Sequence, residues 1–116
     1  MYKPDRWVVL KLPAGYKVLG GWSGGYLDGD SWRLNSGITD VDANGPWYLF
    51  SGYSGSVYQC HRDGYGLTST TAGIYQQLKN KADEKGMICE IMPEDTKWME
   101  LDYEQSGSIL YRWNNR

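Results

Sequence analysis

The sequence predicts a single small α+β domain, residues 1–116, built mainly from antiparallel strands with one principal helix. Its 116 residues fit one domain with one core. Short apolar runs bounded by Gly, Pro, Asn or Asp recur along the chain, which is typical of strands joined by turns. A convincing apolar stripe at helical spacing occurs once, in residues 70–85. Strands on both sides of one helix indicate a mixed domain with antiparallel pairs.

The strands predicted before the helix share β-rich runs beside turn residues: 6–12, 16–19, 38–42, 47–51 and 56–61. Asn44-Gly45 is the strongest short hairpin signal, so the strands on either side of it are predicted to pair, with Pro46 opening the return strand. The Gly-rich residues 20–37 are predicted to be irregular backbone with short strand pieces, exposed enough to carry function.

The helix is predicted over residues 70–85, with Ser69 or Thr70 as its N-cap and Gly86 at its C-terminal end. Its apolar face consists of Ile74, Leu78 and Ala82. Three more strands are predicted after it, at residues 87–92, 97–103 and 108–113.

Composition excludes several classes of partner. The formal net charge of −2 provides no global basic field, so no nucleic-acid partner is predicted. The chain has no apolar run of about 18 residues, so no membrane partner is predicted. The cysteines, Cys60 and Cys89, and the lone His61 lack zinc-site spacing, so no metal and no cofactor are predicted. Both thiols are expected to be free, in a reducing cytoplasm.

No catalytic motif is present, and the chain is predicted not to be an enzyme. Cys60 and His61 are neighbours on a predicted strand, where adjacent side chains point to opposite faces and cannot easily form a nucleophile and base pair. Tyr and Trp dominate the aromatic residues, which suits a wet binding face. The alternative is that these rings simply fill strand positions, which aromatics prefer.

One candidate anion site precedes the helix. Gly64 and Gly66 would let a ligand approach the backbone, Thr70 offers a hydroxyl at the helix start, and Arg62 lies just before. This pattern predicts a phosphate cradle. The alternative is an ordinary turn and helix cap with a solvated Arg62.

The Gly-rich stretch holds a second set of candidates, Trp22, Tyr26, Arg33 and Asn35. Flat rings, a guanidinium and an amide would suit a nucleotide or the loop of a partner protein. The alternative is that Trp32 belongs to the core and the rest is a long turn.

The C-terminus supplies a third set. Arg112 and Arg116 lie beside Trp113 in sequence, and guanidinium groups match phosphate geometry. The alternative is a solvated terminus.

Two runs, GGWSGGYLDGDSWRLNSGI and YSGSVYQCHRDGYG, resemble small proteins of tailed bacteriophages, most of all the Thoeris anti-defence family of nucleotide sponges. The resemblance covers roughly residues 6–66. It implies a homo-oligomer in the cytoplasm of the infected bacterial host. Such a protein sequesters a cyclic ADP-ribose isomer, made by the host's TIR-domain enzymes, without degrading it. No ligand residue is transferred from the family to this chain.

The combined expectation is a small-molecule sponge. Trp22 and Tyr26 would stack on the base, and Asn35 would bond the base or a ribose. Phosphate contacts are expected from three arginines: Arg62, Arg112 and Arg116. The alternatives are a phage inhibitor that binds a host defence protein such as a nuclease or CRISPR effector, and an enzyme that hydrolyses a nucleotide.

Overall fold

A computed structural model describes residues 1–25 and 29–103 of the chain. Within them, seven strands form two antiparallel sheets beside one main helix, which confirms the predicted α+β class. The strands are β1 (Arg6–Leu12), β2 (Gly15–Gly25), β3 (Gly29–Leu34), β4 (Ile38–Asn44), β5 (Trp47–Gly52), β6 (Val57–His61) and β7 (Glu90–Ile91). The helix is α1 (Ser69–Glu84), and two short 3₁₀ helices cover Arg62–Gly64 and Trp98–Glu100. No helix among these residues has the length and apolar character needed to cross a membrane.

The elements form three layers. One sheet has the order β3-β2-β1-β7, and the other has the order β4-β5-β6. Val8 and Leu10 of β1 pack with side chains of α1, whereas Trp7 and Val9 pack with the second sheet. Because side chains alternate along a strand, the four-stranded sheet is covered on both faces. This explains why the centre of β1 is a continuous apolar run.

The glycine-rich stretch is more regular than predicted. β2 continues to Gly25, and residues 29–34 form a paired strand, so the prediction of irregular backbone was wrong there. A Cβ at Gly21 would lie 2.9 Å from side-chain atoms of both Thr68 and Thr71. Glycine weakens a strand interior on its own, but here it lets the start of α1 approach the sheet closely.

The β4–β5 hairpin is confirmed, with a small shift of its turn. Asn44 pairs with Trp47, so the loop consists of Gly45 and Pro46 rather than Asn44 and Gly45. Gly45 has a φ of 59°, and the ring of Pro46 requires a negative φ. Positive φ at the first loop position and negative φ at the second match a type II′ turn, a favoured hairpin connection.

The helix begins with a capping box, one residue earlier than predicted. Its N-cap is Thr68, whose Oγ1 accepts a hydrogen bond from the N–H of Thr71 at 3.1 Å. In return, the Thr71 hydroxyl accepts from the N–H of Thr68 at 2.8 Å. Gly86, with a φ of 65°, follows the C-cap as predicted.

We expect Thr68→Ala to lower the free energy of unfolding by about 1 kcal/mol, because it removes the cap of α1. Urea denaturation followed by circular dichroism measures the loss. Thr70→Ala is the matched control, since the Thr70 hydroxyl makes only a 3.5 Å contact at the surface. Equal losses in the two variants would contradict the capping role.

The chain after α1 departs most from the predicted strands. Only Glu90–Ile91 of residues 87–92 form a strand, paired with β1. Residues 97–103 contain a 3₁₀ helix in place of the predicted strand. The strand predicted at residues 108–113 lies outside the described residues.

Packing of Trp98 explains why the strand prediction for residues 97–103 was wrong. Trp98 is buried, and its ring centroid lies 5.8 Å from that of Trp7 and 6.1 Å from that of Phe50. The hydroxyl of the buried Tyr103 donates to the carbonyl of Trp98 at 2.6 Å. Insertion of these two rings into the core therefore takes precedence over the alternating pattern of the sequence.

Candidate ligand-binding site

The N-terminal segment joins the two sheets and forms one wall of a cleft. Tyr2 donates its N–H to the carbonyl of Val57 at 2.9 Å and accepts from the N–H of Gln59 at 2.7 Å. These bonds attach Tyr2 to the edge of β6. Further along the segment, Asp5 donates its N–H to the carbonyl of Gly21 in β2 at 3.0 Å. Backbone hydrogen bonds therefore attach the segment that carries Tyr2 to both sheets.

Five side chains line this cleft, which we call the β2–β3 cleft: Tyr2, Trp22, Ser31, Trp32 and Arg33. Its volume is about 370 Å³. Trp22 pairs with Ser31 across the two strands, and Gly20 pairs with Arg33. Because side chains alternate, Trp22, Ser31 and Arg33 lie on the same face of the sheet. The structure thus brings together two predicted site residues, Trp22 and Arg33.

Arg33 stacks on an aromatic ring in this cleft. Its guanidinium carbon lies 4.4 Å from the centroid of the Tyr2 ring, within the range of a cation–π interaction. The Tyr2 ring meets the Trp22 ring edge to face at 6.4 Å and packs against Tyr58 at 5.2 Å. Arg33 forms no ion pair with any described residue. Its charge is therefore positioned by rings, and no carboxylate in residues 1–25 or 29–103 forms an ion pair with it.

Tyr58 behind the cleft carries a neutral hydroxyl. Burial raises the pKa of Tyr58 to about 12, although the nearby charge of Arg33 acts in the opposite direction. A protonated Tyr58 adds no negative charge near Arg33. The described lining therefore contains flat rings, the hydroxyl groups of Tyr2 and Ser31, and one guanidinium.

Asn35, predicted to contact a base or ribose, is a structural residue. It is 3% exposed, and its Oδ1 accepts from the N–H groups of Val18 at 2.9 Å and Gly37 at 3.3 Å. These bonds connect β2 to the turn before β4. The amide oxygen of Asn35 is therefore used inside the fold, whereas its buried Nδ2 has no hydrogen-bond partner among the described residues, and the predicted ligand contact stays a prediction.

The predicted phosphate cradle is filled by the chain itself. Gly66 has a φ of 148°, and the guanidinium of Arg6 occupies the space beside it while donating to the carbonyl of Tyr65 at 3.0 Å. A Cβ at Gly64 would lie 3.1 Å from the carbonyl oxygen of Asp5. On these sides of Gly64 and Gly66 a ligand would meet Asp5 and Arg6, and the predicted ligand contact at the two glycines stays a prediction.

The side chain of Asp30 lies near the N-terminus of α1. The Thr70 hydroxyl donates to the carboxylate of Asp30 at 3.5 Å, and the same carboxylate accepts from the N–H of Gly24 at 3.3 Å. Negative charge at this end of a helix is favourable. Asp30 therefore makes a weak surface contact with Thr70, and the predicted phosphate contact of Thr70 stays a prediction.

Arg62 lies at a different cleft, which we call the Arg62 cleft. It has a volume of about 540 Å³. Its lining includes four charged side chains and two tyrosines: Arg62, Glu94, Asp95, Lys97, Tyr48 and Tyr65. Arg62 therefore does not join Trp22 and Arg33. The other predicted residues, Tyr26, Arg112 and Arg116, lie outside the described residues.

Three residues that line the β2–β3 cleft were not among the predicted site residues: Tyr2, Ser31 and Trp32. Tyr2 joins it only through pairing with β6, and residues 1–5 carry no strand pattern that would reveal this. Trp32 was weighed as a core residue, but it is 45% exposed. Alternation places Trp32 on the face opposite Arg33, so the strand pattern alone would not have assigned Trp32 to this cleft.

Cys60 and His61 do not form a nucleophile and base pair. Cys60 is buried in the core, and burial raises the pKa of its thiol. Nδ1 of His61 accepts from the N–H of Asp63 at 3.1 Å, and its ring lies edge to face with Trp47. Within residues 1–25 and 29–103, no three His, Cys, Asp or Glu side chains gather to hold a metal ion.

No protein-family model matches this chain, and no curated protein or solved structure is significantly similar to it. Neither cleft therefore inherits a ligand from a known relative. Their chemistry is inferred from the side chains that line them.

Proposed function

We propose that this chain binds and sequesters a cyclic nucleotide, without degrading it, at the β2–β3 cleft. One observation supports this above all: the guanidinium of Arg33 and the rings of Tyr2, Trp22 and Trp32 line the same cleft. A nucleotide combines a flat base with phosphate. Aromatic rings stack on the base, and a guanidinium donates paired hydrogen bonds to phosphate.

The charge of this cleft favours an anion. Arg33 is the one formally charged side chain among the described residues that line it. A phosphate would therefore meet a cation with no carboxylate of the described lining beside it. Stacking on an exposed ring such as Trp32 adds about 1–3 kcal/mol per base.

The ligand expected under this proposal is a cyclic ADP-ribose isomer, as the resemblance to the Thoeris anti-defence sponges implies. Its adenine would stack against Trp22 or Trp32, and its diphosphate would pair with Arg33. Sequestration in the cytoplasm of an infected bacterium would lower the free concentration of the immune signal. A homo-oligomer remains part of the proposal, and native mass spectrometry reports both subunit number and bound mass.

The test is recovery of an unchanged ligand. Purified protein is mixed with the cyclic ADP-ribose isomer, and its thermal unfolding is compared with that of the free protein. Binding to the folded state raises the midpoint, by mass action. The complex is then heat-denatured, and the mass of the released ligand is measured by mass spectrometry. A missing thermal shift, or a ligand of altered mass, would refute the proposal.

A second candidate function is direct inhibition of a host defence protein, such as a nuclease or CRISPR effector. Trp32 is 45% exposed, and β3 pairs only with β2 among the described residues. An exposed ring on an edge strand suits a protein interface. Capture of a specific host protein that is lost with Trp32→Ala, without a nucleotide-induced thermal shift, would favour this candidate.

A further inference from the structure

The Arg62 cleft differs from the β2–β3 cleft in its charge. It lies between the 3₁₀ helix Arg62–Gly64 and residues 94–98, and its volume of about 540 Å³ is in the range of small-molecule sites. Arg62 and Lys97 border it with positive charge, and Glu94 and Asp95 border it with negative charge. These formal charges sum to zero.

None of these four side chains forms an ion pair with a described residue. A nucleotide would meet two carboxylates here, which repel phosphate. A ligand with one charge of each sign could instead pair with groups of both signs. The charges thus favour a zwitterion over a polyanion.

Below the charged rim, the cleft has a rigid aromatic floor. Tyr65 and Tyr48 are half-buried, and Trp7 is buried beneath them. The centroid of the Tyr65 ring lies 4.7 Å from that of Trp7, edge to face. The Tyr65 hydroxyl donates to the carbonyl of Met92 and accepts from the N–H of Val9. These contacts hold the ring in one orientation, so it presents a fixed flat surface.

We propose that the Arg62 cleft binds a small zwitterion with a flat apolar body, of which an aromatic amino acid is the simplest example. Its carboxylate pairs with Arg62, whose planar guanidinium matches a carboxylate. Its ammonium pairs with Glu94 or Asp95, and its ring lies against the tyrosines. This site is separate from the β2–β3 cleft and does not depend on the nucleotide proposal.

The probes are L-tryptophan and the dipeptide Gly-Trp, whose charged groups are further apart. N-acetyl-tryptophanamide, which keeps the ring and lacks both charges, is the control ligand. Calorimetric titration of the full chain is expected to detect at least one zwitterion. The neutral control should bind about tenfold more weakly or worse, because it loses charge-assisted hydrogen bonds.

Variants locate the binding site. Arg62→Ala is expected to weaken zwitterion binding about tenfold, whereas Lys81→Ala, which removes an exposed lysine of α1, leaves it unchanged. Three results would each overturn the proposal: no detectable binding of either zwitterion, equally strong binding of the neutral control, or an unaltered affinity in Arg62→Ala. The titrations contain no nucleotide. A negative result would therefore not contradict the proposed nucleotide binding at the β2–β3 cleft.

Discussion

Trp7→Ala is expected to lower the free energy of unfolding by about 3–5 kcal/mol, as truncation of a buried Trp typically does. Trp7 is 1% exposed, and its ring contacts Phe50, Tyr65 and Trp98 at centroid distances of 5.4, 4.7 and 5.8 Å. Its Nε1 also donates to the carbonyl of His61 at 2.7 Å. The free energy of unfolding of a small domain is about 5–15 kcal/mol in total, so this one substitution removes much of the stability.

Urea denaturation followed by far-ultraviolet circular dichroism measures this loss. Trp32→Ala is the matched control, because the same substitution at a 45% exposed site should cost about 0.5 kcal/mol or less. Trp7→Phe keeps a ring but leaves the His61 carbonyl without its donor, and a loss of about 1–3 kcal/mol is expected. Similar midpoints for Trp7→Ala and Trp32→Ala would contradict the position of Trp7 at the centre of the core.

The second large effect concerns ligand binding. Arg33→Ala is expected to weaken binding of the cyclic ADP-ribose isomer by about 10- to 100-fold, since a charged hydrogen bond contributes about 1.5–3 kcal/mol. Arg33→Lys keeps the charge but loses the planar guanidinium and its stacking on Tyr2. The affinity of this variant should therefore lie between those of the unchanged protein and Arg33→Ala.

Calorimetric titrations at low and high salt check this prediction. Because Arg33 supplies a charge, the loss on substitution to Ala should shrink as salt screens the interaction. Lys81→Ala removes one positive charge from the exposed face of α1 and serves as the control for net charge. If Lys81→Ala weakens binding as much as Arg33→Ala, the effect is one of overall charge, and the β2–β3 cleft is not the site.

Local patterns predicted the elements whose conformation depends on their own residues. The run in β1, the Thr-rich start and Gly86 end of α1, and the Asn44-Gly45 hairpin signal all correspond to elements of the structure. Turn and cap preferences act over a few residues, which is why these predictions hold to within about one residue. The site predictions had less local support, and Asn35 illustrates this. Its polar side chain favoured an exposed ligand contact, but the residue is buried in the fold.

Local patterns were enough to predict the class of the fold, the helix, the hairpin, and Trp22 and Arg33 as candidates in one segment. Three other features depend on contacts between distant segments: Tyr2 meets Arg33, Asp30 lies near Thr70, and Arg62 borders a different cleft. The two groups of features differ in how far apart in sequence the contacting residues lie. Turns and caps are made by neighbours in sequence, whereas these contacts join segments that are distant in the chain and meet only after the sheets pair.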